Sequence, residues 1–291
     1  MLEKIAQTRY FSRAIGAVNR LVSERGESNA VSMAIDVISN YRKLNAEQRP
    51  KFFITLAEQF NIDTDALMKA TQSFAADPSA RNYIRLQKIS ESPRQELLRR
   101  LNRAPGGTAA VVEMRRDLLS VLHKKPELAG LDYDMRHLLS SWFNPGFLKM
   151  HRVDWKSPAE VLEKIIAHEA VHAIDGWDDL RRRLQPDRRC FAFFHPQLPD
   201  EPLIFVEVAL LPDIPVAIMP LVDKKSAPVV QTNQYKVAAF YSISNCESGL
   251  RGVSMGNFLI KRVAEQLHAE FPGLKTFVTL SPIPGLMEWI T

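Results

Sequence analysis

"VAAFYSISNCESGLRGVSMGNFLIKRVAEQLHAEF", residues Val237 to Phe271, followed by "TFVTLSP", Thr276 to Pro282, decides the fold. VAAFYSIS is an apolar, β-favouring run bounded by Asn245, which reads as a strand. From Met255 the pattern changes: Phe258, Leu259, Arg262, Val263 and Leu267 follow helical spacing. TFVTLSP is a strand again. Strand, helix and strand between Lys236 and Ser281 therefore predict a parallel crossover, right-handed by the general rule. The loop into the helix is rich in small residues. Exposed N–H groups and the helix dipole make such a junction a natural phosphate cradle. Gly252 and Gly256 would let backbone approach a ligand closely. Glycines in strand–helix turns also serve steric ends alone, and that reading stands beside the first.

Upstream, CFAFFHP and PLIFVEVALL read as strands joined by the turn Gln197–Pro202. Before them lies "KIIAHEAVHAIDGW", Lys164 to Trp177. A helix is expected from Ser157 to about Asp175, with Ser157 as N-cap, Pro158 at N1 and Glu160 closing a capping box. His168-Glu169-Ala170-Val171-His172 is HExxH, the spacing of zinc hydrolases, with two ligands one turn apart and a glutamate to polarise water. The third ligand such sites need is absent; Asp175 is the nearest carboxylate before an expected helix end at Gly176. On a helical wheel Val161, Leu162, Ile165, Ile166 and Ala173 form an apolar arc. His168 and His172 lie at its edge and Glu169 near its centre. A core-facing helix with marginal histidines is the better reading. A carboxylate in an apolar arc must find a partner or shift its pKa, and Arg181, Arg182 and Arg183 are the expected ion-pair partners.

The first ~140 residues carry apolar positions three and four apart throughout, the pattern of a helical bundle suited to oligomerisation. Asn45–Gln48 opens one helix, Ser92-Pro93 another that ends near Pro105-Gly106-Gly107, and Thr108 to His123 forms the next. The texture changes at Trp142–Gly146, so residues 1–142 and 143–291 are expected to be separate domains, all-α and then α/β. At 291 residues, about two domains fit the length. No run of about 18 apolar residues occurs, and the charged N-terminus has no signal-like core. Cys190 and Cys246 form no CxxC pair, which suits a reduced, cytoplasmic protein. A net charge of +5 fits a polyanionic small ligand or an ordinary basic surface; neither a nucleic-acid nor a membrane partner is expected.

Arg251-Gly252-Val253-Ser254-Met255-Gly256 resembles the Q/R-x-x-G-x-G/A loop that holds the coenzyme A pyrophosphate in GNAT acyltransferases, with Ser254 where glycine is usual. The longer blocks "MHRVDWKSPAEVLEKIIAHEAVHAIDGWDDLRRRL", "RRCFAFFHPQLPDEPLIFVEVAL", "AAFYSISNCESGLRGVSMGNFLIKRVAEQL" and "TLSPIPG" look like the malonyl-CoA decarboxylase family. The resemblance runs from about Phe143 onward and more weakly over the helices. It implies a helical oligomerisation domain, hence a homo-oligomer, followed by an incomplete α/β GNAT-like acyl-CoA domain. It implies conversion of malonyl-CoA to acetyl-CoA and carbon dioxide with no metal or organic cofactor, the coenzyme A thioester being the substrate. Arg251, Gly252, Val253, Ser254, Met255, Gly256 and Asn257 would bind coenzyme A. Loss of carbon dioxide leaves an enolate that must be stabilised and protonated, which the family does with a serine and a histidine.

The serine carries over to Ser281; on the residues alone it is only a strand-end serine before a proline turn. The histidine lies beyond TLSPIPG, past Thr291, and His168, His195 and His268 are not obvious replacements. The resemblance thus implies a C-terminally truncated member with little or no decarboxylase activity. The family commonly has tyrosine at the first position of HEAVH, which makes the zinc match accidental. Three other readings are an acyltransferase on the same fold, an HExxH zinc hydrolase, and a helical oligomerisation module with a vestigial coenzyme A domain.

Overall fold

The computed structural model describes residues 2–23, 29–228, 231–281 and 289–290, with backbone alone for residues 2–7, 256 and 257. The chain divides into two compact units. One is Met1–Trp142 with Gly249–Val253, and the other is Phe143–Ser248 with Ser254–Thr291.

The first unit is helical: α1 (Leu2–Ser23), α2 (Ala30–Arg42), α3 (Gln48–Gln59), α4 (Thr64–Ala76), α5 (Ala80–Ser90), α6 (Pro93–Asn102), α7 (Gly107–Val121) and α8 (Ala129–Trp142). Local chemistry sets the starts. Asn45 accepts from the N–H groups of Glu47 and Gln48 ahead of α3, Asp63 caps α4 through Ala66 N, and Pro93 occupies the first turn of α6. Leu21, Val37, Phe53, Leu97, Val111, Leu118, Leu131 and Leu139 are fully buried, and the rings of Tyr41, Phe52 and Phe53 pack tilted or edge-on with centroids within 6.0 Å of one another. The helical periodicity read in the sequence is thus the periodicity of this core. None of the described helices is long and apolar enough to cross a membrane.

The second unit is built on a mixed sheet of β1 (Lys149–Val153), β2 (Arg188–His195), β3 (Leu198–Leu211), β4 (Val237–Asn245) and β5 (Thr276–Thr279), in that spatial order. α9 (Ala159–His168), α10 (Gly176–Arg183), α11 (Met219–Val222) and α12 (Gly256–Glu270) complete it. The first four strands pair antiparallel; β4 and β5 are parallel, joined through α12. The predicted crossover is therefore present. β1 lies in MHRV, which the sequence reading left without structure. The expected turn Gln197–Pro202 is shorter, because β3 already begins at Leu198.

Register explains the side chains. Cys190, Ala192 and Phe194 of β2 face the same way as Phe205, Glu207 and Ala209 of β3. This face packs under α9 and α10 through Val161, Leu162, Ile165 and Leu180. Arg189 points to the opposite face and donates to Glu270, tying the end of α12 there.

The helix expected from Ser157 to Asp175 is two helices. α9 stops at His168, Glu169 is extended (φ −66°, ψ 109°), and Gly176 opens α10 at φ +71° instead of ending a helix. The capping box does not form. Pro158 is the N-cap of α9 and makes no side-chain cap bond, while the Ser157 hydroxyl accepts from Asp154 N at 3.1 Å. The Ser157–Asp154 pair builds a turn behind β1, and so takes the hydroxyl that the helix start would have used.

Candidate active site

β4 carries an irregularity that shapes the site. Glu207 of β3 is opposite Ser242 and Val208 is opposite Phe240, so Tyr241 is an extra residue in the ladder. Such a bulge bends the strand and re-aims its side chains. Pairing of β5 with β4 stops at the same level: its last partners are Phe240 and Thr279, and Leu280 N donates to Phe240 O at 2.8 Å. Beyond this point β4 pairs, among the described residues, with β3 alone. A cavity of about 220 Å³ opens there, lined by Val171, Phe240, Tyr241, Ser242, Ile243, Leu280 and Ser281. Ser281 is exposed at its mouth. The Pro282–Gly285 turn and Leu286–Glu288 of the following apolar run lie outside the described residues.

Val171 belongs to HEAVH, so the motif first read as a zinc site forms part of this wall. Glu169 is 7 % exposed. Its Oε1 accepts from Val171 N at 2.8 Å and His172 N at 2.7 Å. The Ser242 hydroxyl donates to the same carboxylate at 2.7–2.8 Å, and the Ser244 hydroxyl at 3.1 Å. Ser244 Oγ in turn accepts from Ala170 N at 3.2 Å. Glu169 does need a partner, as expected, but the partner is not an arginine. Arg183 bonds Glu207 at 2.8 Å, Asp179 at 3.1 Å and the carbonyl of His172 at 2.8 Å. The segment after α9 is thus held by its amides on Glu169 and by a carbonyl on Arg183.

Beneath the wall Glu207 and Tyr241 are buried. Burial pushes the Glu207 carboxyl up to about 7 against the pull of Arg183. Among the described residues Glu207 Oε1 and Tyr241 Oη have no hydrogen-bond partner, and burial holds the Tyr241 phenol well above its ordinary range. His172, half-buried, has its pKa lowered by burial, and it contacts the Tyr241 main chain. Cys246 is pushed up to about 12 by burial and Cys190 is raised likewise, so neither thiol is a ready nucleophile.

The zinc geometry is missing for a structural reason. With α9 ending at His168, the two histidines are not one turn apart on a helix; His168 is exposed, and Asp175 pairs with Lys224 at 2.8 Å. Among the described residues no group of three His, Cys, Asp or Glu side chains could hold a metal. His195 is structural: buried, tilted against the Phe143 ring with centroids 4.6 Å apart, and accepting from Gln197 N at 3.2 Å. His268 is exposed.

The glycine loop divides between the units. Arg251, Gly252 and Val253 belong with the helices, where Arg115 donates to Gly249 O at 2.7 Å and Gly252 sits at φ +80°. Ser254, Met255 and the backbone of Gly256 and Asn257 belong with the sheet and lead into α12. Arg251, Gly252 and Ser254 are exposed; Val253 and Met255 are buried. The first turn of α12 has no side-chain cap bond and no acidic residue. The reading of the sequence missed Ser242, Ser244 and Val171 as parts of the site. The only signal for the serines was their alternation in YSIS, which placed both on one face of β4.

A helical unit and a mixed sheet with a pocket at a parted strand pair define an α+β two-domain protein. Residues 146–291 match the family described as "Malonyl-CoA decarboxylase C-terminal domain", and residues 60–143 match "Malonyl-CoA decarboxylase N-terminal domain". The mitochondrial malonyl-CoA decarboxylase of Mus musculus is 37% identical over 283 residues, covering 92% of this chain and 57% of its own length. That of Anser anser anser is 43% identical over 199 residues, covering 67% and 40%. Crystal structures of malonyl-CoA decarboxylase from Rhodopseudomonas palustris and Agrobacterium vitis are both 49% identical. They superpose with TM-scores of 0.87 and 0.88 over 96% and 94% of this chain, and 68% and 67% of theirs. The chain belongs to the malonyl-CoA decarboxylase family. It spans about half the length of the curated relatives it matches.

Proposed function

We propose that the protein is a carboxy-lyase that converts malonyl-CoA to acetyl-CoA and carbon dioxide, with the cavity between β4 and Ser281 receiving the acyl end of the thioester. The observation that carries this reading is the cavity itself, with Ser281 just past the end of β5 and a wall of β4 that β5 has stopped pairing with. Ligands of open α/β sheets gather at the carboxyl ends of strands, where exposed groups converge. The uncapped start of α12 supports a role for Arg251–Asn257 in holding the coenzyme A phosphates, as in a GNAT-like acyl-CoA domain.

Breaking the bond to the carboxylate releases carbon dioxide and leaves its electron pair on the thioester as an enolate. A hydroxyl donor at Ser281 stabilises that oxygen, and one proton taken up from solvent onto the carbon completes acetyl-CoA. No organic cofactor or metal has a part in this scheme. The helical unit is the proposed site of homo-oligomerisation; its α5 has no buried residue and exposes Tyr83 and Ile84. A cytoplasmic location is the accompanying proposal.

The test uses malonyl-CoA labelled in the free carboxyl. Decarboxylation releases labelled carbon dioxide and no free thiol, and Ser281→Ala abolishes it. Acyl transfer to an added amine releases thiol instead and points to the acyltransferase reading. Tight binding of malonyl-CoA with neither product points to a non-catalytic coenzyme A module. No binding of any coenzyme A thioester overturns the proposal.

A further inference from the structure

We infer that Glu169 is a positioning residue of the acyl pocket: through the Val171–His172 turn and Ser242 it holds the wall that faces Ser281. This rests on reading the cavity as the acyl end of a thioester site.

Three observations carry it. First, the carboxylate bonds directly to two residues of the cavity lining. It takes the amide of Val171 at 2.8 Å and the hydroxyl of Ser242 at 2.7 Å, and both residues line the cavity with Ser281. Second, the donors fill the acceptor sites of the carboxylate. Two amides and two serine hydroxyls converge on it, from the chain beside it and from β4 more than seventy residues on. Third, the bulge at Tyr241 lets Ser242 face Glu207 of β3 in register while Tyr241 packs with Ala239 and Leu221. Without the bulge, the alternation of β4 would turn Ser242 to the other face.

The consequence is chemical as well as geometric. A serine hydroxyl has one proton. With that proton committed to Glu169, the Ser242 oxygen has only lone pairs for any other neighbour. Glutamine at position 169 has nearly the same shape but offers an NH₂ donor to the serines, which reverses the Ser242 hydroxyl. The charge-assisted bonds are lost as well. The pocket wall then changes polarity and loses its fixed shape, while the coenzyme A loop, remote in sequence, keeps its own contacts.

The experiment compares affinities of the purified protein for coenzyme A, acetyl-CoA and malonyl-CoA by titration calorimetry, in wild type, Glu169→Gln and Ser242→Ala, with a thermal melt of each. The expected result is that both variants keep the wild-type affinity for coenzyme A, and the preference for malonyl-CoA over coenzyme A falls by about tenfold, the effect of losing one charge-assisted bond. A lower melting temperature with an unchanged preference assigns Glu169 to the core alone and overturns the inference, as does a parallel loss of affinity for all three ligands. Should Glu169→Gln fail to fold, Ser242→Ala decides, because the carboxylate keeps Ser244 and both amides. A wild-type protein that binds none of the three ligands removes the thioester reading itself, and this role with it. That outcome is distinct because it appears before any substitution.

Discussion

Two segments border the same cavity and are held in opposite ways. Residues 169–173 are saturated: Glu169 collects amides and hydroxyls, and Arg183 collects carbonyls while pairing with Asp179 and Glu207. Leu280 and Ser281 have one main-chain bond to β4, from Leu280 N, and the serine is exposed. The first segment resembles an active-site motif and behaves as scaffold; the second resembles a strand end and carries the hydroxyl proposed to meet the thioester. Chemistry at a pocket needs a rigid wall and an accessible group, and here different residues supply them. Glu169→Ala puts the largest strain on this contrast. It leaves two hydroxyls and two amides without their acceptor in a site too buried for easy solvation, and about 3–5 kcal/mol of stability is expected to disappear in chemical denaturation. A loss below about 1 kcal/mol would mean that the segment is not scaffold.

The next effect is a pH dependence of the same scaffold. Burial raises Glu207 from 4.5 to about 7. Between those values the folded state holds a proton that the unfolded chain has given up. Stability from this group therefore declines as pH rises from about 4.5 through about 7, by about 3 kcal/mol in all. Denaturation midpoints measured across that range should show the decline in wild type and its absence in Glu207→Gln. An identical slope in both would place the titration elsewhere.

How much of this was legible in the sequence follows from the range of the interactions. The strand–helix–strand unit and the helical bundle were readable because their signals are local: periodicity, Pro93 at a helix start, turns at Pro105–Gly107. The break after His168 was not. The apolar arc runs on to Ala173, and nothing near Glu169 announces that Ser242 and Ser244, more than seventy residues later, will capture it. The capping-box pattern at Ser157 misled for a similar reason, since Asp154 behind it competes for the same hydroxyl. Arg181–Arg183 are near Glu169 in sequence, yet the two that are buried turn elsewhere, Arg182 to Asp187 and Arg183 to Asp179 and Glu207. Ser281 was legible only through the family blocks; its own surroundings, Leu before and Pro after, say nothing of a cavity.

A smaller effect separates conformation from contact in the glycine loop. Gly252 sits at φ +80°, and an added Cβ would meet Arg136 Cδ at 3.4 Å, an ordinary contact. The cost of Gly252→Ala is therefore backbone strain alone, about 1–2 kcal/mol. The thermal melt should fall modestly. If the loop holds phosphates as proposed, affinity for coenzyme A should fall with it, because the amide directions depend on that dihedral. Unchanged affinity in a folded variant would detach the loop from the ligand.

The smallest expected change in stability is at the residue that matters most to the proposed chemistry. Ser281→Ala removes an exposed hydroxyl that has no hydrogen-bond partner among the described residues, so stability should stay within about 0.5 kcal/mol of wild type. If the variant instead melts like Glu169→Ala, the hydroxyl is a structural anchor, and the division between wall and reactive group collapses. If stability is unmoved while labelled carbon dioxide release is lost, the two segments have been separated by measurement. The saturated one can then be altered only at the expense of the fold. The sparse one can be altered freely except where the thioester oxygen has to be met.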